Sequence, residues 1–202
     1  MPAPPVTLLP SNTYRRVRWR NGAGWTREIM SWPPDGPVDA PTSWLWRISI
    51  AEVEADGPFS SFPGVERECL LLLGEGLQLQ IDTVGDRTLL PPFGRQRFGG
   101  DHATSATRID GRVEVFNLMW RRDHIRAASW HRPLVGSMVV FVDPGSHWLL
   151  HVLAGSAHLG DGDERCTLSA GDTVCLGAAD VRARHAVEGG GELFVVRLDA
   201  AG

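Results

Sequence analysis

The sequence predicts an all-β protein built as two tandem β-barrels. Period-two alternation of apolar and polar residues recurs along the chain, as in Trp46-Arg-Ile-Ser-Ile-Ala-Glu-Val53. Twenty-three glycines and 14 prolines cut the 202 residues into short apolar runs, and long helical periodicity is rare. Many short strands set between Gly and Pro turns are the pattern of a sandwich or barrel. The pattern also restarts after Pro133, which gives a second block.

Taken in order, the elements are these. A first strand near Tyr14 to Trp19 could belong to either barrel, because double barrels exchange terminal strands. Strands follow at Trp46–Val53, Leu77–Ile81 and Val113–Arg121, each alternating with period two. The polar segment Arg121–Ser129 reads as a partly helical linker. It places the domains at 1–130 and 131–202, with the break between about Arg122 and Pro133. The second block supplies Met138–Val142, Leu149–Leu153, Thr173–Leu176 and Leu193–Leu198. Gly155 and Ala170-Gly171-Asp172 stand where a repeated barrel would place its turns.

Composition removes several functional classes. A net charge of -4 and a pI near 6.0 do not suit a general nucleic-acid binder, which needs a basic face. All 20 basic residues are arginine, so lysine Schiff-base and lysine general-base chemistry are excluded. Three cysteines without a Cys-x-x-Cys pair, no signal-peptide pattern and no apolar run of membrane-spanning length predict a reduced, cytoplasmic setting without a membrane. Cys69, among leucines, reads as a buried structural thiol. No nucleophile-elbow motif is present, so no catalytic residue is assigned.

The stretch from Asp56 to Gly76 has the layout of a cupin metal-binding strand pair, with the ligands replaced. Metal cupins carry His-x-His and then a Glu about seven residues before the glycine that ends the strand. Here the His-x-His region falls on Ser60, Ser61 and Phe62, and the Glu position is Arg67, counted back from Gly74. The later Pro-x-Gly-x-x-His segment is Pro92-Phe-Gly-Arg-Gln-Arg97, with Arg97 at the His position. Zinc and iron sites need several converging His, Cys or carboxylate ligands, so no metal and no cofactor is expected. Arginine in a cation's place suits an anion instead. Strand alternation puts Arg67, Cys69, Leu71 and Leu73 on one face, which looks into the barrel in the cupin register. The alternative is that Arg67 and Arg97 are surface residues.

Laid end to end, four blocks resemble the HutD/Ves family of bicupin proteins. They are Trp19-Arg-Asn-Gly-Ala-Gly-Trp-Thr-Arg-Glu28, Trp46 to Ala51, Asp56 to Arg67, and Phe98-Gly-Gly-Asp101 with Phe116-Asn-Leu-Met-Trp-Arg121. The resemblance runs from Tyr14 to at least Arg122. The family usually reads Trp-Lys-Asn-Gly-Gly-Gly, so Arg20 replaces Lys and Ala23 replaces Gly; Ala23 matters only where the backbone needs a positive φ. The resemblance implies a bacterial cytoplasmic protein linked to histidine utilisation, or in the Ves branch to stress responses. It implies binding of a small pathway acid such as formylglutamate or urocanate, and no established enzymatic activity. A homodimer is expected from the cupin habit of pairing edge strands.

The candidate binding residues follow from the blocks. Arg47 and Ser49 share one strand face, and Asn117 and Arg121 share another. Asn21, Thr26 and Glu28 sit in a Gly-interrupted segment whose backbone N–H groups suit a carboxylate. Phe59 and Phe62 flank the vacated ligand positions and would wall a pocket. Glu28 and Asp101 are the internal candidates to pair Arg67. His147 and His151, four residues apart on a strand, span about 13 Å and cannot share one ion. Three functions remain open: a regulatory carboxylate-binding bicupin, a cupin enzyme with an unconventional metal site, or an interaction protein with a vestigial pocket.

Overall fold

The computed structural model describes residues 6–19, 21–34, 43–160 and 165–202. In chain order the strands are β1 (Val6–Leu9), β2 (Arg15–Arg18), β3 (Gly24–Trp32), β4 (Trp46–Val53), β5 (Gly57–Pro58), β6 (Val65–Leu73), β7 (Leu77–Ile81) and β8 (Gly85–Leu89). They continue with β9 (Arg95–Gly99), β10 (Thr104–Arg108), β11 (Val113–Arg121), β12 (Ile125–Val142), β13 (His147–Leu159), β14 (Cys166–Ser169), β15 (Thr173–Leu176) and β16 (Ala183–Ala200). The only helix among the described residues is one 3-10 turn at Ser11–Thr13, so none is long and apolar enough to cross a membrane. The all-β class stands.

The chain divides into two units, one of residues 14–125 and one of residues 126–202 with the N-terminal stretch up to Thr13. The N-terminal stretch therefore does not stay with the unit that follows it in sequence. The reason is β-pairing: β1 lies antiparallel to β15, with Val6 opposite Leu176 and Leu9 opposite Thr173. Strand β2 instead pairs β3 and belongs to the first unit. The linker expected to be partly helical is a turn at 122–124, and β12 starts at Ile125. Within that segment Ile125 is buried and opens a strand that goes on to bury Leu134, Val140 and Val142.

The first unit has a six-stranded sheet, β2-β3-β4-β11-β6-β9, and a four-stranded sheet, β5-β10-β7-β8, all antiparallel. They share one core. Ala51, Cys69, Leu71, Val113, Val115 and Phe98 come from the larger sheet, and Leu77, Leu79, Ile81, Leu89 and Ala106 from the smaller. Alternation gives β7 its Leu-Gln-Leu-Gln-Ile pattern, with the three apolar residues buried and both glutamines exposed.

The second unit closes differently. Its six strands form a single sheet, β1-β15-β13-β16-β12 with β14 on β13. One core draws Val140, Val152, Leu159, Leu168, Val174, Val187 and Val195 from five of those strands. A single sheet that encloses its own core must bend, and β13 and β16 bend where glycines face each other. Gly155 is opposite Gly191, beside a register shift between Val152 and Ala154. A Cβ on Gly191 would lie 2.0 Å from the Ala154 carbonyl oxygen, and one on Gly155 2.1 Å from that of Gly190. Only glycine permits that approach.

Candidate functional site

Strand register brings a polar group together on the inner face of the six-stranded sheet. In one row Glu28 is opposite Ser49, Ser49 opposite Asn117, and Asn117 opposite Cys69. In the next row Met119 lies between Arg47 and Arg67, and Arg67 is opposite Phe98. Alternation makes these the continuation of the face that carries Ala51, Val115 and Leu71 into the core. Arg67 thus faces inward, among buried Ser49, Asn117 and Cys69.

The two arginines of this face differ in one respect. Arg47 has a carboxylate partner: its Nη2 donates to Glu28 Oε1, while Glu28 Oε2 takes Arg15 at 2.9 Å. Arg67 is 6% exposed and, among the described residues, has no carboxylate partner. Its Nη2 donates to Asn117 Oδ1 at 2.9 Å and reaches Cys69 Sγ at 3.9 Å. Its Nε is buried and has no acceptor. The guanidinium lies over the rings of Phe59, at 4.7 Å, and Phe98, at 5.1 Å. Ring faces offset part of the desolvation of a cation. They do not replace an anion, and a buried unpaired ion still costs several kcal/mol, roughly.

Asn117 Oδ1 also accepts from the Cys69 thiol at 3.1 Å. Burial pushes the Cys69 thiol above its ordinary pKa, against the lowering pull of Arg67. Cys69 is therefore a neutral donor here and not a thiolate nucleophile. Beside Met119, Trp44 packs with Val65 and Phe62. The Trp44 Nε1–H is buried without an acceptor. The Arg67 Nε–H and the Trp44 Nε1–H thus both lie beside Met119 as buried donors without a hydrogen-bond acceptor.

The other expected residues lie elsewhere or are occupied. Asn21 is exposed and accepts from the Ala23 N–H at 3.0 Å, which is a local turn. Thr26 Oγ1 accepts from Trp19 Nε1 at 2.8 Å. Asp101 is exposed and pairs with Arg122, whose hydrogen bond holds its carboxyl below the ordinary range. Neither Glu28 nor Asp101 pairs Arg67. Arg121 ends β11, half-buried. Phe59 and Phe62 are half-buried, one on the Arg67 guanidinium and one on the Trp44 cluster. Arg97 is a correction: it shares the opposite face with Glu68, which it bonds at 3.0 Å, and it stacks on Trp120. Position 20 lies outside the described residues. At Ala23 the backbone φ is not positive; the positive φ of that turn, 72°, belongs to Gly22.

Trp44 and Phe98 join the site without a signal in the strand pattern. Trp44 precedes β4, where alternation says nothing. Each unit has a cleft. One of about 390 Å³ lies among Pro58, Ile81, Asp82, Asp86 and Thr104, and one of about 310 Å³ lies in the second unit. Arg67 lines neither. Among the described residues no three His, Cys, Asp or Glu side chains converge as a metal site. His151 shares a hydrogen bond of 2.9 Å with Thr173 Oγ1.

A sequence model of the HutD family matches residues 11–195. The chain is 37% identical over 122 residues to an uncharacterised 21.2 kDa protein in the hutC 3' region of Pseudomonas putida, spanning 60% of this chain and 62% of that one. It is 38% identical over 146 residues to protein Ves of Citrobacter koseri, spanning 71% and 70%. Among solved structures, HutD from Pseudomonas fluorescens superposes with a TM-score of 0.81 at 25% identity, over 98% of this chain and 100% of that one. A cupin 2 conserved barrel domain protein of Leptotrichia buccalis shares the fold, with a TM-score of 0.56 at 13% identity.

Proposed function

The chain belongs to the HutD family, and we propose that it is a metal-independent binder of a small carboxylic acid, held by Arg67. One observation carries the reading: a buried guanidinium whose partners are an amide oxygen, a thiol and two rings, and not a carboxylate. A planar guanidinium meets a carboxylate with two parallel hydrogen bonds, so an acid entering past Phe59 would supply the acceptor that Nε lacks. Trp44 Nε1–H offers a second donor for another oxygen of the same acid. Ser49 and Asn117 border the slot as polar neighbours, and Phe59 and Phe62 limit the length of the ligand. The HutD structure of P. fluorescens was determined in a formate condition, and formate is the smallest carboxylate. The hutC-region designation of the P. putida relative supports a role tied to histidine utilisation. Formylglutamate and urocanate are the acids to try first.

The test is calorimetric titration of both acids into the wild-type protein and into Arg67→Ala. Charge-assisted hydrogen bonds are worth about 1.5–3 kcal/mol each, so the variant should bind at least about tenfold more weakly. Equal binding to both proteins removes Arg67 from the site. No binding by the wild type leaves the scaffold reading.

A further inference from the structure

We propose that the cleft of the second unit is a separate binding site, for a small organic anion with a flat apolar body. Every residue that lines it belongs to that unit, and none takes part in the Arg67 site. The floor is apolar and continuous with the barrel core: Val140 and Val195 are each 2% exposed and belong to the core cluster. The walls are aromatic. Trp130 and Trp148 stack at 6.0 Å with 17° between their planes. That spacing admits no ring between them, so a ligand ring must lie against the outer face of the stack. Phe141 also lines the cleft and is 46% exposed.

Charge at the rim decides the class of ligand. Arg132, Arg182 and Arg197 line the cleft against one carboxylate, Asp143. Two of these arginines already have partners. Arg182 lies over Phe141 at 4.8 Å and reaches Asp143 at 3.4 Å. Arg197 lies over Trp148 at 5.8 Å and bonds Asp199 at 2.8 Å. A guanidinium stacked by its face keeps its in-plane N–H edges for an anion. Arg132 is exposed and, among the described residues, has no ion pair or hydrogen bond. It is the free cation that an incoming carboxylate would meet first. An apolar floor, aromatic walls and one arginine, Arg132, in excess of the carboxylates are the parts of a small-molecule site. The volume, about 310 Å³, suits one ring or a fused pair. Acetate would lack the apolar body and a neutral ring would lack the charge.

The probe is 2-naphthoate, titrated by calorimetry, with 2-naphthol and acetate as controls. The indole resonance of Trp130, assigned by its loss in Trp130→Ala, reports the place of binding. The expected result is saturable binding of 2-naphthoate that moves this resonance, with both controls at least about tenfold weaker. Arg132→Ala, an exposed substitution that the fold tolerates, should weaken naphthoate about tenfold. Arg67→Ala should leave it unchanged, which separates this site from the first. Binding of 2-naphthol as tight as that of naphthoate would overturn the proposal, as would indifference to Arg132→Ala. So would a dimer in sedimentation that Trp130→Ala dissolves, since a second copy on the exposed edge strand β12 would then fill the cleft.

Discussion

The two units reach a closed core by opposite routes, and they put their charge in opposite places. The first closes with two sheets face to face and carries Arg47 and Arg67 on an inner face. The second bends one sheet at Gly155 and Gly191, packs a core cluster of apolar residues, and holds three arginines around a cleft. A two-sheet core can end in a polar row because strand faces continue past the apolar layer. The four blocks that resemble the family all fall in the first unit, where the inner polar row is, while the family model itself spans both units.

The largest expected effect tests the second unit's route. Gly191→Ala places a methyl 2.0 Å from a backbone oxygen at a φ of 146°. It should destabilise the protein by at least about 3 kcal/mol, read by chemical denaturation. Gly22→Ala, with open space around it and a φ of 72°, should cost only about 1–2 kcal/mol. Equal costs would mean that the close approach does not hold the bend.

Next comes the contrast between Arg67 and Arg47. Arg67→Met removes a buried cation without a carboxylate, and Asn117 Oδ1 keeps the Cys69 thiol as donor. Ligand-free stability should rise, by about 1 kcal/mol or more. Arg47→Met takes one of two arginines from Glu28 and should lower stability by about 1–3 kcal/mol. Thermal denaturation of both variants checks the signs. A fall for Arg67→Met would show the guanidinium satisfied from within.

A smaller effect concerns thiols, one buried in each unit. Burial raises Cys69, and it raises Cys175 to about 12. A thiol reagent at pH 8 should therefore modify Cys166 alone in the native protein, and all three cysteines after denaturation. Rapid native reaction of Cys69 would give the inner face an open path to solvent.

The smallest effect is a pH dependence in the second unit. Burial lowers the His147 pKa below its ordinary 6.5. The unfolded chain then binds the proton first, so the His147 contribution is full above pH 6.5 and is lost as pH falls toward the folded value. The melting temperature should decline on that side of 6.5, and less steeply in His147→Gln. An unchanged slope in the variant would contradict this.

Much of the fold was legible from alternation. Strands at Trp46–Val53, Leu77–Ile81 and Val113–Arg121 are β4, β7 and β11 with the same ends. The long strands β12, β13 and β16 were legible only in their apolar halves, because glycine bends and exposed edges break the period on which the reading depends. At the site, Arg67 followed from its place in a motif and Asn117 from the cost of burying an amide. Trp44 gave no sign, since it precedes its strand. Arg97 misled, because Pro-x-Gly marks a turn and not which face follows it. Nor does a sequence say which of two inward arginines already has its carboxylate: that depends on Glu28 reaching across from β3, a matter of register.

The central claim is that Arg67 lacks a partner that a ligand supplies. Its Nε–H resonance, in protein labelled with 15N-arginine and assigned by its loss in Arg67→Met, tests this directly. On titration with the acid that binds, this resonance should shift strongly and become protected from exchange, while that of Arg47 stays put. Saturable binding that leaves the Arg67 resonance unmoved would contradict the account.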